Sequence, residues 1–439
     1  MRRPHYRLVA GGAILALGLA ACGGSSSGKT STGNTKGTTT GVTATTVTIG
    51  STQPLTGIAA PGYSEIAPAA NAMFQYINAQ GGINGRKIIY KYVDDGYDPT
   101  RTVTQTQKLL LQDKVFAIFN GLGTPTHLKV VDTLNAQKVP DVFVASGCLC
   151  WDNVSQHPET FGWQPDYTVE GKILGNYLKS KYAGKKIGYF YQDDDFGQNG
   201  IKGLDMELPA SQVVSKQPYQ LTNTNISSQV QKLQAKHADV VVSFSVPAFT
   251  ALLKLNMLKA GYNPTLVVSD VGSDPLTLSG LLEAFAKQGG AKVNGNQLIQ
   301  GIVTDGYLPP WADTSNSWIQ LFKKVHDQFD AKAPMDGNVE YGFAVAWTFA
   351  EALAKAGKNL TREDFVAAIN QGLDPGPGLV PFRFSSTSHA GFTGVQIGVI
   401  QGSSIVLQGN PQTTDDGSGP ISEYTQPQSQ APASGVPSG

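Results

Sequence analysis

Gly23-Gly24-Ser25-Ser26-Ser27-Gly28-Lys29-Thr30 fits the phosphate-cradling pattern GxxxxGK[ST], and Gly24 to Gly28 within it fits the hydrolase elbow GxSxG. Both patterns act only where a strand runs into a helix, because that turn aims backbone N–H groups or a serine hydroxyl at one spot. Here the flanks are Gly, Ser, Thr and Asn, so neither match implies nucleotide binding or hydrolysis. Asp193-Asp194-Asp195 offers three carboxylates without the oxygen spacing of a calcium loop, and reads as a solvated turn. Histidines are scattered at 5, 127, 157, 237, 326 and 389, with His127 expected at solvent or packed on a helix cap. No HExxH pair, Ser/His/Asp set or isolated carboxylate pair stands out. The chain is therefore not expected to be an enzyme, and no catalytic residue, metal ligand or cofactor is assigned. Cys148 and Cys150 could close a small, strained ring or stay as free thiols.

Two loops have a better chemical case. Gly121-Leu122-Gly123-Thr124-Pro125-Thr126 follows the apolar run Val115–Phe119 and opens a helix. Thr124 and the free N–H groups beside it could hold a carboxylate, since helix N-termini favour anions; alternatively Thr124 is only the cap. In Ser269-Asp270-Val271-Gly272, Asp270 is a single acid at the end of the run 266–269. It is placed to face a cleft, or it bonds its own backbone as an Asx-turn.

The elements that must position these residues alternate. Val47–Gly50, Ile88–Val93, Val115–Phe119 and Val142–Ala145 read as strands, separated by helical patterns over Ile66–Gln80, Pro99–Gln112 and Thr126–Gln137. A second round starts near Tyr167, with strands at 187–191, 213–218, 240–244 and 266–269 and helices at 169–182, 201–208, 228–236 and 249–259. A third part has a strand over 298–303, helices over 316–329 and 340–356, a helix capped by Thr361, and a pair of strands at 395–400 and 405–407. Short apolar strands alternating with helices imply parallel sheets covered on both faces, hence an α/β fold of two doubly wound lobes.

Composition excludes other classes. The 439 residues carry 33 Lys+Arg against 33 Asp+Glu, which gives no basic excess for nucleic acid. With 40% hydrophobic residues the chain is not a disordered one, and no apolar run long enough to span a bilayer follows residue 21. Arg2, Arg3 and Arg7 precede the uncharged stretch 8–21, which reads as an export signal. It ends in Leu19-Ala20-Ala21-Cys22, which resembles the bacterial lipobox and makes Cys22 the expected lipidation site. Residues 22–46 are expected to form a lipidated tether, and the Pro/Gln/Ser/Gly-rich tail 410–439 is expected to be disordered.

Several segments, in order, resemble the bacterial Leu/Ile/Val-type (branched-chain amino acid) solute-binding lipoproteins of ABC transporters, of the type I periplasmic binding protein family. They are Pro54-Leu55-Thr56-Gly57, Asn78 to Lys87, Asp94 to Pro99, Gln112 to Val115, Val139-Pro140, Gly184 to Ile187, Asp193 to Gly197, Ser228 to Val230 and Tyr341-Gly342. The resemblance implies two lobes joined by a three-segment hinge. Lobe 1 takes 47–165 and returns over 307–380; lobe 2 takes 166–306 and returns over 381–409. It implies an amino acid or related small carboxylate held in the cleft by a monomer and delivered to an ABC permease, with the lipid anchor on the extracytoplasmic face.

The resemblance also assigns contacts. Thr56 and Thr124 fall where the family has pocket residues, and Ser146 and Gly147 fall where it holds the ligand's α-carboxylate. Cys148 stands where many relatives have Thr. Phe196 stands where they often have Tyr, so it can stack but not hydrogen-bond; it could equally be core. Ser245-Val246-Pro247 replaces a common Tyr after Phe244. Asp270 aligns with the acid that receives the ammonium. These departures allow a ligand that is bulkier or lacks one amino-acid group. Organic acids, or a ligand-sensing lipoprotein of the same fold, are the alternatives.

Overall fold

The computed structural model describes residues 37–438. The segment read as an export signal, Cys22, and the two glycine-serine motif matches lie outside the described residues.

Two sheets form the frame. The first is parallel, in the order β2-β1-β3-β4-β5, from β1 (Thr46–Gln53), β2 (Lys87–Asp94), β3 (Ile118–Phe119), β4 (Asp141–Val144) and β5 (Thr160–Gly162). The second contains β6 (Ile187–Gln192), β7 (Val213–Tyr219), β8 (Val240–Phe244), β9 (Thr265–Val268) and β10 (Val303–Gly306), parallel in the order β10-β9-β8-β6-β7. β11 (Gly394–Gln401) adds antiparallel to β10 and pairs with β12 (Ser404–Leu407) and β13 (Gln412–Thr413); β14 (Ser422–Glu423) closes that edge. β6 and β8 are buried at every position, as strands covered on both faces must be.

Caps set where the helices begin. Asp98 accepts the N–H groups of Thr100 and Arg101 to start Pro99–Leu111, with Pro99 in the first turn, where its missing N–H costs nothing. Asp166 does the same for Tyr167–Lys181. Asp194 accepts the Phe196 N–H and starts Asp195–Glu207, so the triple-aspartate run is a helix start rather than only a solvated turn. The strand expected over 298–303 is displaced: Asn294 caps a short helix, Gly295–Ile299, and the strand begins at Val303. The helix Pro275–Gln288 was not foreseen from periodicity.

The chain crosses between lobes three times: from β5 to the helix at Tyr167, from β10 toward the helix Ser317–Phe329, and from the helix Arg362–Asn370 to β11. Each crossing contributes an aromatic ring to one cluster. The ring centroids of Trp163, Tyr307 and Phe392 lie 5.2–5.9 Å apart.

Two segments expected to be unstructured are packed. Thr38 donates from N–H and hydroxyl to the Glu363 carboxylate, and Val42 pairs with Val47, so the end of the expected tether lies on the lobe. The tail correction is larger. Lys172 is buried, and its Nζ donates to Thr414 Oγ1, to the carbonyls of Asp415, Gly417 and Gly419, and to the Asp415 carboxylate. Further on, the Trp318 indole N–H donates to the Ser429 carbonyl and the Tyr76 hydroxyl to that of Ser434.

Candidate functional site

A cavity of ≈ 200 Å³ lies between the lobes, at the carboxyl ends of strands from both sheets. Leu122 and Gly123 reach it after β3, Ala145 after β4, Val246 after β8, Asp270 and Val271 after β9, and Asp305 to Tyr307 from the end of β10. This is where doubly wound sheets hold ligands, because loops diverge there and leave a crevice. The lobes touch across it: the Tyr63 hydroxyl donates to the Val271 carbonyl at 2.8 Å, and Asp274 Oδ2 accepts the Gly337 N–H at 3.0 Å.

The lining is aromatic and acidic. Tyr63, Tyr97, Tyr167, Tyr307, Tyr341 and Trp311 supply rings, and Phe196 packs on Tyr167 with centroids 4.6 Å apart. The carboxyl groups are Asp270, Asp274, Asp305, Asp336 and Glu340, and among the described residues the lining has no Lys, Arg or His.

With Glu170 and Glu65, which stand behind the lining, these acids form two groups. In the first, Glu170, Asp270 and Asp305 bring one oxygen each within 4.8 Å of one another. Glu170 sits in the first turn of Tyr167–Lys181, and its Oε1 accepts the Asp270 N–H at 3.1 Å. Asp305 is 1% exposed; no N–H or hydroxyl group among the described residues reaches its oxygens, and its hydrogen-bonding neighbour is the Glu170 carboxyl. Burial pushes the Asp270 carboxyl up to about 6. Burial and then mutual repulsion push Glu170 and Asp305 well above the carboxylate range.

The second group lies around the start of the helix Gly337–Ala356. Asp336 caps that helix through the Val339 N–H, and burial followed by Asp274 pushes its carboxyl up to about 8. Glu340 is 4% exposed, its Oε1 has no partner among the described residues, and burial, Asp336 and Asp274 raise it well above its ordinary range. Glu65 faces Asp336 from the other side and is raised mainly by burial.

A family profile described as "Periplasmic binding protein" matches residues 46–403, which contain both sheets up to β11 and every acid named above. The chain belongs to the periplasmic binding protein family. This binding protein is 23% identical over 337 residues to Leu/Ile/Val-binding protein homolog 8 of Brucella abortus, covering 74% of this chain and 79% of that one. A branched-chain amino acid ABC transporter protein from Thermus thermophilus with bound valine superimposes with a TM-score of 0.72 at 17% identity, over 84% of this chain and 97% of that one. A fatty acid ABC transporter substrate-binding protein from Thermomonospora curvata does so at 0.71 and 22%, over 86% and 95%. At such identities the structural likeness speaks for the fold alone, type I with two lobes.

Of the contacts expected from sequence, Asp270 and Phe196 line the cavity of this binding protein. Thr124 and Ser146 are buried with their hydroxyls 2.6 Å apart, bonded to each other; the lining residues at these loops are their neighbours Gly123 and Ala145. Gly147 serves packing, since a Cβ there would lie 2.4 Å from the Pro165 carbonyl oxygen. Thr56 is outside the lining and bonds the Asp94 carboxylate through its N–H and hydroxyl. Cys148 and Cys150 are joined in a disulfide. His127 is neither at solvent nor a cap contact: it is buried, with Nε2 2.8 Å from Asp141 and its ring edge-on to Trp151. Glu170, Asp305, Asp336, Glu340 and the tyrosines were missed. Asp305 carries the same signal as Asp270, an acid at a strand's carboxyl end, but the strand had been placed a few residues too early.

Proposed function

We propose that this protein captures a small amine-bearing solute of amino-acid type in its interlobe cleft and delivers it to an ABC permease. The observation that carries the reading is Asp270, an acid at the carboxyl end of β9 that lines a tyrosine-walled cavity. Once the cleft excludes water, a buried carboxylate needs a cation, and an ammonium supplies it. Family membership and the likeness to amino-acid-binding relatives support delivery to a permease, and they support an extracytoplasmic location. Leu19-Ala20-Ala21-Cys22 supports anchoring through a lipid on Cys22.

The test is calorimetry after mass spectrometry has identified the solute carried by the natively purified protein. Removing one partner of a buried charged pair costs about 2–5 kcal/mol, or roughly 30- to 4000-fold in affinity. Asp270→Asn is expected to weaken the amine by that range and its deaminated analogue far less. Equal affinity of the variant and parent for the amine makes Asp270 a turn residue only. For the anchor, Cys22→Ser is expected to move the protein from the membrane to the soluble fraction; unchanged membrane retention refutes it.

A further inference from the structure

We infer that the cleft is built for an organic dication, an alkyl diamine or polyamine, with one ammonium seated at Glu170, Asp270 and Asp305 and the other at Asp336 and Glu340. The inference rests on the solute-capture reading, keeps its amine and replaces the amino acid's carboxylate end by a second amine. A single ammonium needs one carboxylate, yet the cavity presents five carboxyl side chains and, among the described residues, no basic one. An amino acid would also bring a carboxylate of its own, and among the described residues the lining has no basic side chain to receive it.

The two groups each hold acceptor capacity that the protein leaves unused. Both oxygens of Asp305 and Oε1 of Glu340 are buried, belong to cavity-lining residues and receive no N–H or hydroxyl donor among the described residues. Buried polar groups are otherwise nearly always paired, so these oxygens mark where a donor belongs. The groups lie in different lobes, with Asp270 and Asp305 at the ends of β9 and β10 and Asp336 and Glu340 at the start of the helix Gly337–Ala356. A molecule that satisfies both must carry positive charge at two places and reach across the cleft. The lining of the same cavity also includes Tyr63, Tyr97, Tyr307 and Trp311, aromatic side chains of a kind that suits alkyl chains and ammonium groups. A calcium ion fits less well. It takes six to eight oxygens, whereas Glu170 Oε1 is already committed to the Asp270 N–H, and an ion at the first group leaves the second uncompensated.

The experiment is calorimetry on the full mature protein, stripped of bound solute, with putrescine, cadaverine, n-butylamine, leucine and calcium chloride. Putrescine or cadaverine is expected to bind most tightly. Asp305→Asn and Glu340→Gln are each expected to weaken the diamine by roughly 30-fold or more. n-Butylamine, which carries one ammonium, is expected to bind at least roughly 30-fold more weakly than putrescine, because it can occupy only one group at a time. Both substitutions remove buried repulsion, so a thermal scan should show variants at least as stable as the parent. Leucine binding more tightly than either diamine overturns the dication assignment and leaves solute capture standing. Calcium binding that Asp305→Asn abolishes, without diamine binding, overturns it in favour of a metal site. Binding of none of these probes, together with no solute on the natively purified protein, overturns both readings.

Discussion

A carboxyl group buried without a counter-charge keeps its proton until solvent pH forces it off, and the fold is strained once it does. Asp270 is pushed up to about 6 and Asp336 to about 8, in both cases chiefly by burial. Glu351, outside the cleft, is also pushed up to about 8 by burial, although it accepts the Asp374 N–H. Each folded value lies above the ordinary carboxyl value, so the folded chain binds protons that the unfolded chain has released. The stabilisation from these groups is therefore complete below about pH 4 and is lost as pH rises through 6 and then 8. The ligand-free protein is expected to melt at a lower temperature near pH 9 than near pH 5. Glu351→Gln, which keeps an acceptor for the Asp374 N–H, should flatten part of that slope. A melting temperature that rises over this window shows that the groups are already ionised in the fold. Single residues were legible only where position alone gave the clue. Asp270 follows an apolar run, and it lies in the cavity lining. Glu170 lies in the middle of a chain stretch with no motif, and only tertiary structure brings it beside residues 270 and 305. Thr124 and Ser146 show the converse: each was a fair candidate alone, and their mutual bond cannot be read from either loop.

At the level of elements, most strands and helices follow from apolar runs and capping residues, which act within a few positions of each other. The first four strands, the helix start at Pro99 and the cap at Thr361 are of this kind, whereas β5, Thr160–Gly162, has no apolar run to announce it. The C-terminal tail is not. Its Pro, Gln, Ser and Gly residues have little to bury, so composition read as disorder. Its order comes from elsewhere, since backbone carbonyls of Asp415, Gly417 and Gly419 surround the ammonium of a lysine some 240 positions earlier. Nothing local in the tail announces that. Lys172 in turn was unremarkable within a helix, yet it is 1% exposed and its nearest carboxylate is Asp415, at 3.2 Å. Ending the chain at Gly409 removes these acceptors and the Trp318 and Tyr76 partners together. Loss of a buried ion's partners costs up to about 3–5 kcal/mol. A truncated chain is therefore expected to unfold at a distinctly lower urea concentration than the full one. Lys172→Met in the truncated chain should recover part of the loss, because it removes the orphaned charge. Equal urea midpoints for full and truncated chains would mean that the tail adds nothing to stability.

At the scale of the molecule, the two lobes are held by few directional contacts and one aromatic cluster. The Phe392 N–H donates to the Trp163 carbonyl and the Leu379 N–H to the Tyr307 carbonyl, so backbone bonds tie the crossings together where their rings pack. Apolar packing of this kind is non-directional, so it can persist through a change of angle between lobes. The contacts between the lobes include Tyr63 to Val271, Asp274 to Gly337 and Asn338 to Thr277 at the cleft mouth, and these must break on opening. Hinge closure around a ligand is the motion this layout permits. Ligand is expected to lower the radius of gyration in solution scattering, because it stabilises the form in which these contacts are made. Tyr63→Phe keeps the ring against the cavity but removes the bond to Val271. Such a bond contributes about 0.5–1.5 kcal/mol, or roughly a 2- to 12-fold shift toward the open form. The variant should therefore reach the same compact profile only at higher ligand concentration, with affinity weakened by about that factor. If the parent's profile is unchanged at saturating ligand, the cleft fills without lobe movement and the bond from Tyr63 is a fixed part of the fold. If the parent compacts and Tyr63→Phe follows at the same concentration, closure is driven by the ligand's contacts with the carboxyl groups on the two sides, and the mouth contacts only follow.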